Sequence, residues 1–139
     1  QKTVEKKRIS LDLNNSTKEQ LTEINGIGEY IGERIVAYRE RLGGYAAKEQ
    51  LMEIKKIDLE LYSKIEDQLV VDPNFIRKLN INQASAEELK EHPYISWNVA
   101  NSIVKMRIQK VSYNRIEELL ESALIDRELF EKIKPYITL

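Results

Sequence analysis

The chain has no cysteine, one histidine, three prolines and five glycines in 139 residues. Without thiols there is no disulfide framework, zinc ribbon, iron–sulfur cluster or cysteine nucleophile, and one histidine supplies neither a histidine metal cage nor a Ser-His-Asp triad. The composition therefore reads as non-enzymatic, with no catalytic residue, metal or cofactor. So few glycines and prolines also argue against collagen, a low-complexity linker and a β-sandwich punctuated by glycine turns. No apolar run approaches the roughly 18 residues that a membrane span requires. The apolar runs are short pieces such as Leu69-Val70-Val71, so no membrane contact is expected of this segment itself. What remains is 42% hydrophobic and 32% charged, rich in Leu, Ile, Glu and Lys, which is the balance of a folded, all-α chain.

The formal charge of −1 conceals three segments: +3 over residues 1–10, −5 over 11–72 and +1 over 73–139. A near-neutral total with a pI near 6.0 is not the footprint of a chain built to neutralise many phosphates. The sequence begins at Gln1 rather than Met, which is compatible with an upstream signal or membrane helix.

An internal repeat organises the chain. Laid on itself at an offset of 68 residues, Leu11–Val71 matches Leu79–Leu139 without a gap, with 19 identities in 61 positions. Most identities are apolar or turn residues, among them Asn14/Asn82, Ile27/Ile95, Arg39/Arg107, Tyr45/Tyr113, Ile57/Ile125 and Asp58/Asp126. The copies thus share a hydrophobic framework while their polar surfaces differ. The expected organisation is a basic tail over 1–10, a first domain over 11–72 and a second over 73–139. Pro73 discourages a continuous helix through the junction.

In copy one, Thr17 followed three residues later by Gln20 reads as a capping box, repeated by Ser85 and Glu88 in copy two. A short helix to about Ile24 should break at Asn25-Gly26-Ile27-Gly28, where glycine supplies a positive φ. A longer helix follows and ends at Gly43-Gly44. A third helix over about Ala47 to Ile54, a hairpin at Lys55-Lys56-Ile57 and a fourth helix capped by Asp58 complete the unit, with Leu61, Ile65 and Leu69 on one stripe.

The run Leu11-Asp-Leu-Asn-Asn-Ser-Thr-Lys-Glu-Gln-Leu21, with Ile24-Asn-Gly-Ile-Gly28, Ile35-Val-Ala-Tyr-Arg39 and Gly44-Tyr45, resembles the helix-hairpin-helix domains of the ComEA competence proteins. Copy two is similar, through Leu79-Asn-Ile-Asn-Gln-Ala-Ser-Ala-Glu-Glu-Leu89 and Ile103-Val-Lys-Met-Arg107. The resemblance implies two tandem units of two hairpins each. It also implies sequence-independent binding of double-stranded DNA, in DNA uptake outside the cytoplasmic membrane. An extracytoplasmic or membrane-anchored setting follows from the resemblance alone, with a cytoplasmic one as the alternative.

The physics of such a hairpin is that glycines let the backbone approach a phosphate while N–H groups at the start of the next helix point at it. Contacts confined to phosphate carry no base information. Only the first hairpin keeps a Gly-Ile-Gly step. The corresponding triplets are Lys56-Ile57-Asp58, Tyr94-Ile95-Ser96 and Leu124-Ile125-Asp126. An anionic cap at Asp58 or Asp126 occupies the N–H groups a phosphate would need, and Glu29 and Glu33 place negative charge beside the intact hairpin. The candidate nucleic-acid contacts are Asn25, Gly26, Ile27 and Gly28, Lys55 and Lys56, Ser96, Lys105 and Arg107. The main rival reading is a structural or protein-interaction module that keeps the scaffold without binding DNA, as in a small extrinsic subunit of photosystem II that resembles this fold, and a third is the noncatalytic part of a larger nuclease or repair enzyme. Trp97 is expected to be buried against a neighbouring helix, with stacking on a partner as the alternative, and His92 to be structural.

Overall fold

The computed structural model describes residues 10–139, so the expected basic tail lies, except for Ser10, outside the described residues. The described residues are all-α apart from four two-residue strands, and the chain divides into two units. The first runs to Glu40 and resumes over Gly44–Phe75, and the second takes Arg41–Gly43 and Ile76–Leu139.

The first unit is ordered β1 (Leu11–Asp12), α1 (Lys18–Leu21), α2 (Glu29–Leu42), a 3₁₀ segment Lys48–Glu53, α3 (Leu59–Ile65) and β2 (Leu69–Val70). The second repeats it with β3 (Leu79–Asn80), α4 (Ala86–Lys90), α5 (Trp97–Lys110), a 3₁₀ segment Ile116–Glu121, α6 (Arg127–Ile133) and β4 (Ile137–Thr138). Both capping boxes form. Thr17 Oγ1 accepts the Gln20 N–H at 3.1 Å and Gln20 Oε1 accepts the Thr17 N–H at 2.9 Å, and Ser85 and Glu88 do the same at 3.1 and 2.8 Å.

Two elements are tighter than the sequence suggests. The first helix stops at Leu21, and the third is a 3₁₀ segment rather than an α-helix. There Gln50 Oε1 gathers the N–H groups of Ala46 and Ala47 at 2.6 and 3.0 Å, and the Ile54 N–H closes back on the Leu51 carbonyl at 3.0 Å. This short i→i+3 winding delivers Leu51 to the core in six residues. The strand pairs close each unit's two ends in parallel, Leu11 opposite Leu69 and Leu79 opposite Ile137. At two residues apiece they leave no alternating pattern to read.

Three of the repeat identities form one polar clasp in each unit. Asn14 Nδ2 donates to the Tyr45 carbonyl at 2.9 Å while its Oδ1 accepts the Tyr45 N–H at 2.6 Å, and Asn82 and Tyr113 repeat this at 3.0 and 2.7 Å. The Tyr45 hydroxyl donates to the Ile35 carbonyl at 2.7 Å, and that of Tyr113 to Ile103 at 2.6 Å. Arg39 Nη1 donates to the Leu13 and Ser16 carbonyls at 2.9 and 2.7 Å, matched by Arg107 on Ile81 and Ala84 at 2.9 and 2.8 Å. These bonds tie the long helix of each unit to the loop before its first helix, satisfying carbonyls that burial would otherwise strand.

The core of the second unit gathers Ile81, Leu89, Ile95, Ile103, Tyr113, Leu119, Phe130 and Ile133. The first unit buries Leu13, Leu21, Ile27, Ile35, Tyr45, Leu51, Ile57, Tyr62 and Ile65. On α3 the buried stripe is Tyr62 and Ile65, continued by Leu69, with Leu61 half-buried.

His92 occupies the place of Ile24 and is only 5% exposed. Its ring lies 4.5 Å from that of Tyr136 and 5.1 Å from that of Tyr94, and its Nδ1 accepts the Tyr94 N–H at 3.1 Å. Burial pushes the imidazole down from 6.5 to about 4. The folded chain therefore refuses a proton that the unfolded chain accepts. The resulting stability is whole above pH 6.5 and is lost as pH falls towards 4, a total of about 3 kcal/mol. Because His92 is the chain's one histidine, its ring proton can be followed by NMR across an acid titration. A midpoint near 4 is expected, and one near 6.5 would show that the ring is solvated.

Candidate nucleic-acid interface

All four hairpins have the same closure. The N–H of the central isoleucine donates three residues back, Ile27 to Ile24 at 3.0 Å, Ile57 to Ile54 at 2.9 Å, Ile95 to His92 at 3.0 Å and Ile125 to Ser122 at 3.2 Å. Each of these isoleucines is buried. A hydrophobic tip and one backbone bond are thus common to all four turns, although their flanking residues differ.

The flanking residues distinguish them. Gly26 alone of the four has a positive φ, +108°, where a side chain would be strained and its Cβ would meet Leu61 Cδ1 at 3.2 Å. Gly28 is different: its φ is ordinary, and a Cβ there would meet nothing within 4 Å. It holds the N-cap place of α2, its carbonyl accepting the Gly32 N–H at 2.8 Å. In the other hairpins the cap residue carries a side chain that bonds the helix. Asp58 accepts from Leu61 at 2.9 Å, Ser96 from Val99 at 3.2 Å and Asp126 from Leu129 at 2.8 Å. A glycine cannot, so the N–H of Ile31, counterpart of those of Leu61, Val99 and Leu129, has no acceptor among the described residues. The first turn of the 14-residue α2 therefore ends in open, positively polarised N–H groups.

The charge around this turn is mixed. Lys18 Nζ lies 2.9 Å from Glu29, 3.6 Å from Glu33 and 3.9 Å from Glu19. The Lys18 hydrogen bond holds the Glu29 carboxyl below its usual range, and the same bond raises the lysine. Lys18 gave no signal in the sequence, being eleven residues from Glu29. It offsets part of the negative charge there without reversing it.

The other candidates are placed as follows. Asn25 is exposed beside Gly26, whereas the Ile27 side chain is core and its N–H closes the turn. Lys55 and Lys56 are exposed at the second hairpin and make no ion pair among the described residues. In the second unit the Ser96 hydroxyl is spent on its helix cap, and Arg107 is committed to the clasp carbonyls. Lys105 is exposed on α5, away from any ion pair among the described residues, while Lys110 further along binds Glu118 and Glu121 at 3.2 and 3.0 Å. Trp97, expected inside, is 45% exposed at the start of α5, with Lys90 Nζ 5.5 Å from its ring centre. The helix start points it outward, because Val99, Ala100 and Ile103 take the buried face. No group of three or more His, Cys, Asp or Glu able to hold a metal occurs among the described residues, and no helix there is long and apolar enough to cross a membrane.

The chain is 26% identical over 145 residues to the endonuclease/exonuclease/phosphatase family domain-containing protein 1 of Xenopus laevis, covering 89% of this chain and 26% of that protein. It is 25% identical over 142 residues to the protein of that name from Danio rerio, again covering 89% and 26%. The chain thus spans about a quarter of the length of these relatives. No solved structure matches significantly. The helix-hairpin-helix motif matches twice, over residues 6–70 and 74–138, and by that double match across nearly its whole length the chain belongs to the helix-hairpin-helix motif family.

Proposed function

We propose that this chain is a non-catalytic module that binds double-stranded DNA weakly and without sequence preference, through the first hairpin. The observation that carries this reading is the uncapped start of α2, where Gly28 leaves the N–H groups of the first turn free for a phosphate oxygen. The family supports nucleic-acid binding in general. Lys55 and Lys56 supply exposed positive charge in the same unit, free of ion pairs among the described residues. The ComEA resemblance would set this contact in DNA uptake. The relatives' names instead set it beside an endonuclease/exonuclease/phosphatase family domain, which a module gripping backbone without reading bases is suited to serve.

One open hairpin and a partly offset acidic rim predict contact with about two to four phosphates. In a duplex titration across salt concentrations, the log–log slope should lie at about −2 to −4, with a dissociation constant of ~10⁻⁵ to 10⁻⁴ M near physiological salt. Absence of binding at low salt would refute the reading.

Gly28→Asp separates binding from folding. The room at Gly28 admits a side chain, and an aspartate there would cap α2 as Asp58 and Asp126 cap α3 and α6. The variant should be more stable by about 0.5–1 kcal/mol, seen as a higher denaturation midpoint. Its affinity for duplex DNA should nevertheless fall on the order of tenfold, because the carboxylate takes the phosphate's place. Raised stability with unchanged affinity would move the site elsewhere.

A further inference from the structure

The two units differ in exposed residues on and beside their long helices. At three exposed positions, charged residues of the first unit are replaced by large apolar ones in the second: Glu29 by Trp97, Glu40 by Ile108 and Lys56 by Leu124. The replacements are not buried. Ile108 is 72% exposed and Leu124 52% exposed, and with Val104 they line one groove of about 550 Å³ along α5. Its remaining walls are Asn98, Asn101, Ser102 and Lys105.

The lining selects among occupants. It contains no acidic side chain, and its one charge is Lys105, free of ion pairs among the described residues. Duplex DNA would cover Lys105 but would bring phosphates against Ile108 and Leu124, which gain nothing from them. The hairpins bordering this groove have their cap positions filled by Ser96 and Asp126, leaving no open helix start. A lipid tail or any other purely apolar occupant would use Ile108, Val104 and Leu124 but would offer no opposite charge to Lys105 and no partner to the exposed Asn98 and Asn101. A peptide segment with apolar side chains on one face and a carboxylate beside them satisfies every wall: Ile108, Val104 and Leu124 receive the apolar side chains, Lys105 the carboxylate, and Asn98 and Asn101 the polar flank.

We infer that the groove along α5 of the second unit docks an acidic amphipathic helix of a protein partner, with Ile108 and Leu124 as its apolar contacts and Lys105 as its charge contact. Helix-in-groove recognition of this kind uses apolar anchors at i, i+3, i+4 and i+7. The two units then divide their work, the first holding phosphate and the second holding protein.

A synthetic 16-residue Leu/Glu helix with leucines at that spacing, and its Leu/Lys counterpart, provide the probes for calorimetric titration into the full chain. The Leu/Glu peptide should bind at least about tenfold more tightly than the Leu/Lys peptide. Ile108→Glu and Leu124→Lys restore the first unit's residues at exposed positions, so both should keep their thermal midpoints. Each should weaken the Leu/Glu peptide about tenfold while leaving duplex affinity as it was. No binding of the Leu/Glu peptide, equal binding of the two peptides, or indifference to both substitutions would overturn the inference. So would displacement of the peptide by a 12-base-pair duplex, which would give the groove to nucleic acid. Loss of duplex binding by the unaltered chain, with peptide binding intact, would defeat only the DNA reading.

Discussion

A buried isoleucine anchors the tip of each hairpin. Ile27, Ile57, Ile95 and Ile125 are each withdrawn into their unit's core while their N–H groups close the turn. Apolar burial and one backbone bond close each turn, so the residue after the tip is released to vary in how it caps the following helix. That release explains how one scaffold carries four different hairpin chemistries. Glycine at the first leaves backbone N–H groups open, aspartate or serine at the others closes them with a cap, and lysine or leucine beside the tip sets the polarity of the rim.

The polar clasp works at the other end of each long helix. Asn14 with Tyr45 and Arg39, and Asn82 with Tyr113 and Arg107, hold the incoming loop against the helix through side-chain bonds to backbone groups. Conversion of a cationic residue into a backbone clamp changes how charge on this chain should be counted. Arg39 and Arg107 contribute positive charge on paper, yet their guanidinium groups are turned to carbonyls rather than outward to a polyanion. The effective positive surface is smaller than the composition suggests, which fits a module that grips duplex weakly.

Much of this fold was legible because the repeat compares the chain with itself. The offset of 68 residues exposed the shared apolar framework, and the Thr17/Gln20 and Ser85/Glu88 pairs marked helix starts through chemistry that acts within four residues. What escaped was either too short or too distant. Strands of two residues show no alternation, and a six-residue 3₁₀ segment has the same apolar spacing as an α-helical turn. The clasp roles of Arg39 and Arg107 depend on partners 23 and 26 residues away, so their identity between copies signalled importance without its kind. At the candidate site, the Gly26-Ile27-Gly28 step was visible, but the two glycines do different things: Gly26 is needed for its backbone angle and Gly28 for its missing side chain. Trp97 misled because a large aromatic is usually sheltered, whereas here the face of α5 opposite Val99 and Ile103 carries it outward.

The proposed contact sets the phosphate against the backbone at the start of α2. Amide resonances report this directly in a ¹⁵N-labelled chain titrated with a short duplex at low salt. The N–H signals of Glu29, Tyr30 and Ile31 should shift most, while those of Leu61, Val99 and Leu129, already held by capping side chains, stay in place. Larger shifts at Leu61, Val99 or Leu129 than at Ile31 would contradict it.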